Sequence, residues 1–293
     1  MELEAQKEFE RSLVLIDQKR YADAEKYLRF ALEKDFNNSK IYHNLAYCLL
    51  QQPEKTAEAF AAIVKALELE PNDFESHALA ALILVARYRS LHFKTDFHSI
   101  RLKIRMSNEA KKEAQIAIQL NPQSSFAFFA LASVCFATSH WTKAEEAARQ
   151  ALFLNADSLG AAIRLIWALR KQKKYSEARI LLEHWLSRYP NDASLLEEKG
   201  RLNLCDEKFS EAKHSFLDAL RFNPQSISAK IGLKHSFLVR FFLFQLLFKW
   251  HNWFWSLTFW PRLIMGIGIL IFIYVLGGLI IGIIFGKFFN GTL

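Results

Sequence analysis

The side chains that could carry chemistry are scattered along this chain rather than grouped. Nine histidines and three cysteines are present, but there is no His-Glu-x-x-His motif and no pair of cysteines at metal-binding spacing. Phosphate-cradling loops need several glycines, and before Arg262 glycine occurs only at Gly160, Gly200 and Gly232. The sequence therefore predicts a protein that is not an enzyme and that holds no cofactor or metal ion.

The three cysteines indicate the redox environment of the protein rather than a metal or catalytic site. Cys48, Cys135 and Cys205 are separated by more than fifty residues and fall on predicted helices. Because this spacing does not resemble a disulfide framework, we expect reduced thiols in the core of a cytosolic protein.

The strongest pattern is a period of 34 residues. One slot holds alanine four times in succession (Ala110, Ala144, Ala178 and Ala212), and an aromatic residue precedes the last three by three positions (Trp141, Tyr175 and Phe209). A proline keeps the same phase (Pro122, Pro190 and Pro224). Such a period is typical of stacked repeats in which each unit is a pair of amphipathic helices.

These residues resemble the tetratricopeptide repeat (TPR) family. Earlier repeats can be located through Ala24 and Ala59, with one extra residue in the turn of the second repeat. The resemblance implies an all-α, right-handed superhelical solenoid of about six helix pairs over residues 1–226, followed by a capping helix over 227–236. It also implies a concave groove that is lined by the first helix of each pair.

An insertion interrupts the third repeat at about residues 88–106, because the interval from Ala59 to Ala110 is 51 residues. Its basic residues alternate with apolar ones such as Phe97, Ile100 and Ile104. One interpretation is an extension of both helices of the repeat with solvated charges. The other is a basic projection that contacts phosphate groups of lipid or of RNA, and the interleaved apolar residues favour lipid.

The resemblance also implies which side chains line the groove. The expected groove residues are His43, Asn44, Phe74, His77, Phe126, Phe129, Phe136, Arg164, Trp167, Arg170 and Arg201. They indicate an apolar half and a basic half, which suit a peptide or protein partner with apolar anchors and some acidic residues. Alternatively, several of these aromatic residues belong to the core between helices.

The end of the chain has a different composition. Leu263–Gly286 is a run of 24 residues without charge, and we expect a transmembrane helix over residues 262–287, followed by a short tail over 288–293. Residues 237–261 are rich in aromatic residues and predict an interfacial segment or, alternatively, a second span that turns at Pro261. Basic residues cluster before the span, which predicts a single-pass, tail-anchored membrane protein with its repeats in the cytoplasm.

Glycines recur every four residues in this segment, at Gly278, Gly282 and Gly286. This spacing allows close packing of membrane helices and makes a homo-oligomer possible.

Two functions are open: a membrane-tethered adaptor that recruits a protein or peptide partner, or a membrane-active or channel-associated oligomer. The net charge of +8 favours anionic surfaces, but no nucleic-acid-binding motif accompanies it, so no nucleic-acid partner is expected.

Overall fold

A computed structural model describes residues 2–91 and 96–238. This part of the chain contains thirteen α-helices and one short 3-10 turn, Pro53–Lys55. The helices are α1 (Glu2–Asp17), α2 (Tyr21–Lys34), α3 (Ser39–Leu50), α4 (Thr56–Leu69), α5 (Phe74–Ser90), α6 (Phe97–Leu120), α7 (Ser125–Ala137), α8 (Trp141–Leu154), α9 (Leu159–Lys171), α10 (Tyr175–Arg188), α11 (Ala193–Cys205), α12 (Phe209–Phe222) and α13 (Ile227–Leu238).

The chain divides into two compact units, Met1–Leu202 and Asn203–Leu293, and the division falls within α11. In the first unit each helix packs on the next one along the chain, from α1 on α2 to α9 on α10. In the second unit α12 packs on α13. The predicted all-α solenoid of helix pairs is therefore confirmed.

The repeating alanine is what lets the helices approach. Ala24, Ala59, Ala110, Ala144, Ala178 and Ala212 are each at most 2% exposed. Because an alanine adds only one methyl group to the helix surface, a neighbouring helix can pack directly over this slot. The 34-residue period in the sequence is thus the period of the close contacts in the structure.

The two ends of a repeat use different backbone devices. Several first helices begin at a polar cap; Ser124, for example, accepts a hydrogen bond from the backbone N–H of Ala127 at 3.2 Å. Four of the turns to the second helix instead use a residue with positive φ, at Lys19, Ser139, Lys173 and Glu207. After α7, the N–H of His140 returns to the carbonyl of Cys135 at 2.9 Å, the bond of a Schellman cap.

The insertion in the third repeat lengthens both helices of its pair. α5 continues to Ser90 and α6 begins at Phe97, so that α6 has 24 residues. On α6 the side chains of Phe97, Ile100 and Ile104 are exposed, Phe97 by 82%. The predicted helix extension is therefore present, and it carries an exposed apolar stripe.

Two further expectations meet the structure differently. Cys48 and Cys135 are buried as predicted, and burial raises the pKa of the Cys48 thiol to about 12. Cys205 is exposed, so its assignment to the core was wrong.

Within residues 2–91 and 96–238, no helix is both long enough and apolar enough to cross a bilayer. The predicted transmembrane helix (262–287), with Gly278, Gly282 and Gly286, lies outside the described residues, as does nearly all of the aromatic segment (237–261).

Candidate partner-binding face

The first helices of the pairs in unit Met1–Leu202 form a layer of their own. Besides packing on its pair, α3 contacts α5, α5 contacts α7, and α7 contacts α9. The second helices lie on the first helix of their own pair and on that of the next pair. We call the layer of α3, α5, α7 and α9 the inner face, because its helices are the more closely spaced ones.

Aromatic side chains line the inner face from α7 to α9. Phe126 and Phe129 stack with ring centroids 6.2 Å apart, and Phe136 lies 5.3 Å from Trp167 on α9. All four side chains are half-buried. Phe126 also packs against the apolar cores on either side of it. Each of these side chains is therefore partly packed and partly accessible, and its role in partner binding stays a prediction.

Arg164 on α9 lies among these rings. Its guanidinium carbon is 4.6 Å from the ring centroid of Trp167 and 5.5 Å from that of Phe129. Its Nε donates to the hydroxyl of Ser133, which is fully buried on α7, at 2.9 Å. Burial, reinforced by the charge of Arg89, lowers the pKa of Arg164 to about 9, so the guanidinium still carries its charge at neutral pH.

The other predicted basic residues are already paired. Arg170 forms an ion pair with Glu198, which is 1% exposed, and Arg201 donates to the same carboxylate at 2.8 Å and to Glu197 at 3.0 Å. In the expected basic half of the groove, Arg170 and Arg201 are therefore neutralised by carboxylates. The two carboxylates of α11 thus pair with Arg170 on α9 and with Arg201 on α11 itself.

His77 is turned away from the groove. It is 9% exposed, its Nε2 donates to the carbonyl of Pro71 at 2.9 Å, and its Nδ1 lies 2.6 Å from Oε2 of Glu113 on α6. The hydrogen bond with Glu113 is the main cause that raises the pKa of His77. His77 therefore fastens α5 to its own second helix, which corrects its placement among the groove residues.

The N-terminal end of the inner face is polar. His43 Nδ1 lies 2.9 Å from the hydroxyl of Ser76 on α5, and burial lowers the pKa of His43. Asn44 donates to the carbonyl of Lys40 in its own helix at 2.8 Å. Phe74, at the start of α5, is half-buried. These residues join neighbouring first helices or satisfy their own backbone, and they leave the aromatic cluster on α7 and α9 as the main accessible apolar feature of this face.

Sequence reasoning missed a polar network that recurs between repeats. Glu145 on α8 is buried and accepts hydrogen bonds from Lys174 at 2.7 Å and from Gln172 at 2.7 Å. Arg149 bridges Glu145 to Glu177 on α10. The same arrangement occurs between α2 and α4, where the residues are Glu25, Arg29, Gln52, Lys55 and Glu58. The recurrence of Glu, then Arg four residues later, then Gln 27 residues later was the available signal.

No group of histidine, cysteine or carboxylate side chains in the described part of the chain is arranged to hold a metal ion. The inner face thus offers stacking surfaces, Arg164 lying against two aromatic rings, and paired charges. Such a face can bind a partner through apolar contacts and hydrogen bonds.

Comparisons with known proteins agree with this architecture. The sequence profile of the family described as regulator of microtubule dynamics protein 1-3 matches residues 39–164, from α3 into α9. The present chain superposes on a chain in the structure of the APC/C hetero-tetramer Cut9–Hcn1 with a TM-score of 0.61 and 17% sequence identity. The superposition covers 80% of the present chain and 42% of the chain in that complex. The protein has a TPR-like fold.

Two other relatives show how far the similarity extends. PilF of Pseudomonas aeruginosa superposes with a TM-score of 0.53 at 21% identity, over 77% of this chain and 95% of that one. The human protein O-mannosyl-transferase TMTC3 is 27% identical over 210 residues, which is 71% of this chain but 21% of that protein. The chain thus spans about a fifth of the length of this curated relative, and the similarity to solved structures concerns the TPR-like fold alone.

Proposed function

We propose that this TPR-like protein is a membrane-tethered adaptor that recruits a protein or peptide partner on its inner face. The observation that carries the proposal is the half-buried aromatic cluster of Phe126, Phe129, Phe136 and Trp167, which lies beside Arg164. Stacked aromatic rings next to an arginine are the side chains that most often dominate protein recognition. The Cut9 structure, a TPR-like neighbour, is itself that of a complex with a second protein.

The tether is proposed from sequence. Residues 263–286 contain no charged side chain over a length that crosses a bilayer as a helix, and basic residues precede them. A chain inserted in this way keeps its repeats in the cytoplasm as a right-handed superhelix and leaves only a few residues on the far side. The exposed stripe of Phe97, Ile100 and Ile104 on α6, with Arg101 and Arg105 beside it, would add a contact with anionic lipid.

The adaptor proposal is tested by photocrosslinking in native membranes. A photoreactive phenylalanine analogue is placed at Phe129 in the inner face, and in a matched variant at Phe153, which is 83% exposed on α8. We expect a discrete crosslinked protein from position 129 and none from position 153. Equal crosslinking from both positions would contradict recruitment by the inner face.

The alternative function is an oligomer assembled through its glycine-rich membrane segment. It depends on Gly278, Gly282 and Gly286, whose spacing allows close helix contact. Replacing residues 263–286 with an unrelated apolar span leaves an adaptor active, whereas Gly282→Leu alone inactivates an oligomer. Membrane insertion itself is tested by alkaline carbonate extraction, which leaves the full chain in the membrane pellet if the segment spans.

We propose no enzymatic activity and no nucleic-acid partner. The similarity to an O-mannosyl-transferase covers about a fifth of that protein. Incubation of the full chain with a mannosyl donor and a hydroxyl-bearing acceptor peptide should therefore give no transfer.

A further inference from the structure

Arg164 differs from Arg170 and Arg201 in what surrounds its charge. Arg170 and Arg201 each contact a carboxylate, whereas in the described part of the chain no carboxylate lies within ion-pair distance of Arg164. Its Nε is used by Ser133, and its two terminal amino groups have no hydrogen-bond partner there. A half-buried cation without a counter-charge costs free energy, so this fork of donors is available to an anion.

A second donor in the same place also lacks a partner. The indole Nε1 of Trp167 is buried and finds no acceptor within the described residues, although nearly all buried polar groups in proteins find one. The ring that carries this N–H lies 4.6 Å from the guanidinium carbon of Arg164. The two unpartnered donors therefore lie in one small region of the inner face, and a ligand reaches the indole N–H once the side chains adjust to admit it.

The electrostatic field at this position favours a negative ligand. Arg89 on α5 is close enough to Arg164 for the two like charges to repel, and this repulsion adds to burial in lowering the pKa of Arg164. Arg89 itself is exposed and forms no ion pair within the part of the chain that the structure describes. An anion bound between α5 and α9 would relieve both effects at once.

We propose that Arg164 and Trp167 form a binding site for a peptide carboxylate, with the rings of Phe129 and Phe136 receiving the apolar side chains next to it. The planar fork of Arg164 matches the two oxygens of a carboxylate, and the indole N–H supplies a third donor. This inference rests on the proposed function of the inner face and specifies its ligand. The carboxylate comes from an acidic side chain or from a free C-terminus.

The experiment uses the full chain, labelled with ¹⁵N at tryptophan and kept in detergent, and follows the indole N–H signals by NMR. The signal of Trp167 is assigned by its loss in Trp167→Phe. The probe is the blocked peptide acetyl-Ala-Phe-Glu-Phe-Ala-amide. We expect it to shift the Trp167 signal downfield in a saturable way, because the indole N–H gains an acceptor.

Two further peptides identify the source of the carboxylate. The same sequence with Gln in place of Glu, blocked at its end, should bind roughly tenfold to a hundredfold more weakly, since a charge-assisted hydrogen bond pair is lost. The Gln peptide with a free C-terminal carboxylate regains binding only if the site takes a C-terminus. Equal binding of all three peptides would overturn the proposal.

Protein variants separate this site from general electrostatics. Arg164→Gln should abolish the shift, and Arg164→Lys, which keeps the charge but not the fork, should weaken binding roughly tenfold. Lys171→Gln removes the same charge from the exposed end of α9 and should bind as the parent does. Unchanged binding by Arg164→Gln, with its fold verified by circular dichroism, contradicts the proposal.

Two outcomes distinguish this proposal from the broader one. If inorganic phosphate or a phosphoserine peptide saturates the Trp167 signal and the Glu peptide does not, the site is a phosphate site and the carboxylate proposal fails. If Arg164→Gln still yields the photocrosslinked partner from position 129, the inner face recruits its partner without this site. In that case the adaptor proposal stands and the present one is wrong.

Discussion

Lys174 donates from Nζ to Oε2 of Glu145 at 2.7 Å, across the boundary between two successive helix pairs. Gln172 reaches the same oxygen, and Arg149 holds the other oxygen at 2.8 Å, so both oxygens of a buried carboxylate are hydrogen-bonded. Burial alone would raise the pKa of Glu145, but the hydrogen bonds from Lys174, Arg149 and Gln172 outweigh it and lower the pKa.

We therefore expect Glu145→Ala to destabilise the protein by about 1–3 kcal/mol, because Gln172 and Lys174 lose their buried acceptor. The measurement is urea denaturation of the full chain in detergent, followed by circular dichroism. Glu146→Ala is the matched control, since Glu146 is the exposed next residue of α8, and it should change the free energy of unfolding by less than about 0.5 kcal/mol. Equal losses in the two variants would show that the network contributes nothing specific.

The same network predicts an acid dependence. The pKa of Glu145 is lowered in the folded state, as is that of its counterpart Glu25. Their stabilising contribution is therefore present above the ordinary pKa of 4.5 and is lost as the pH falls through the folded value. In the double variant Glu25→Gln, Glu145→Gln, the free energy of unfolding should fall less steeply below pH 4.5 than in the parent; parallel curves would contradict this.

The pairing of His77 with Glu113 predicts a dependence of the opposite sign. Since the pKa of His77 is raised in the folded state, its contribution is fully present below the unfolded value of 6.5 and is lost as the pH rises through the folded value. We expect the free energy of unfolding to decrease over that interval by about 1 kcal/mol, the usual net contribution of one hydrogen bond. His77→Gln should remove this slope, whereas His98→Gln, at an exposed histidine of α6, should keep it.

The fold was predictable because its signals are local. Alanine at one slot marks where two helices meet in every repeat, and in four of the six repeats an aromatic residue stands three positions earlier. The inner-face charges were not predictable in the same way. Arg170 is satisfied by Glu198 through a contact between α9 and α11, and His77 is claimed by a carboxylate on α6. The partner of a long charged side chain depends on which residues the neighbouring helices bring close to it. The 34-residue repeat pattern does not predict these contacts.

A backbone feature also escaped sequence reasoning. Lys173 has a φ of 64° at the turn between α9 and α10, a conformation that costs an L-residue roughly 1–2 kcal/mol and glycine almost nothing. The sequence gives no signal of this backbone conformation, because the residue is an ordinary exposed lysine. We expect Lys173→Gly to stabilise the protein by about 0.5–1 kcal/mol. Lys173→Ala, which removes the side chain but keeps the strain, should not stabilise it, and an equal gain in the two variants would refute the backbone explanation.

Gly232 on α13 provides a test within the second unit, since it faces the ring of Phe216 on α12. A Cβ at this position would overlap the ring of Phe216, which is fully buried. Helix propensity alone predicts that Gly232→Ala stabilises α13 by about 1 kcal/mol, whereas overpacking predicts a loss of about 1–3 kcal/mol.

The overpacking term should prevail in Gly232→Ala, because a fully buried ring cannot move without displacing its other neighbours. The free energy of unfolding should therefore fall. The hydrogen-exchange rates of the α13 amides should increase more than those of the α7 amides. Ile231→Ala, one residue away and 49% exposed, is the control and should leave α13 exchange nearly unchanged. A gain in stability for Gly232→Ala would mean that α13 does not pack on Phe216 as the structure has it.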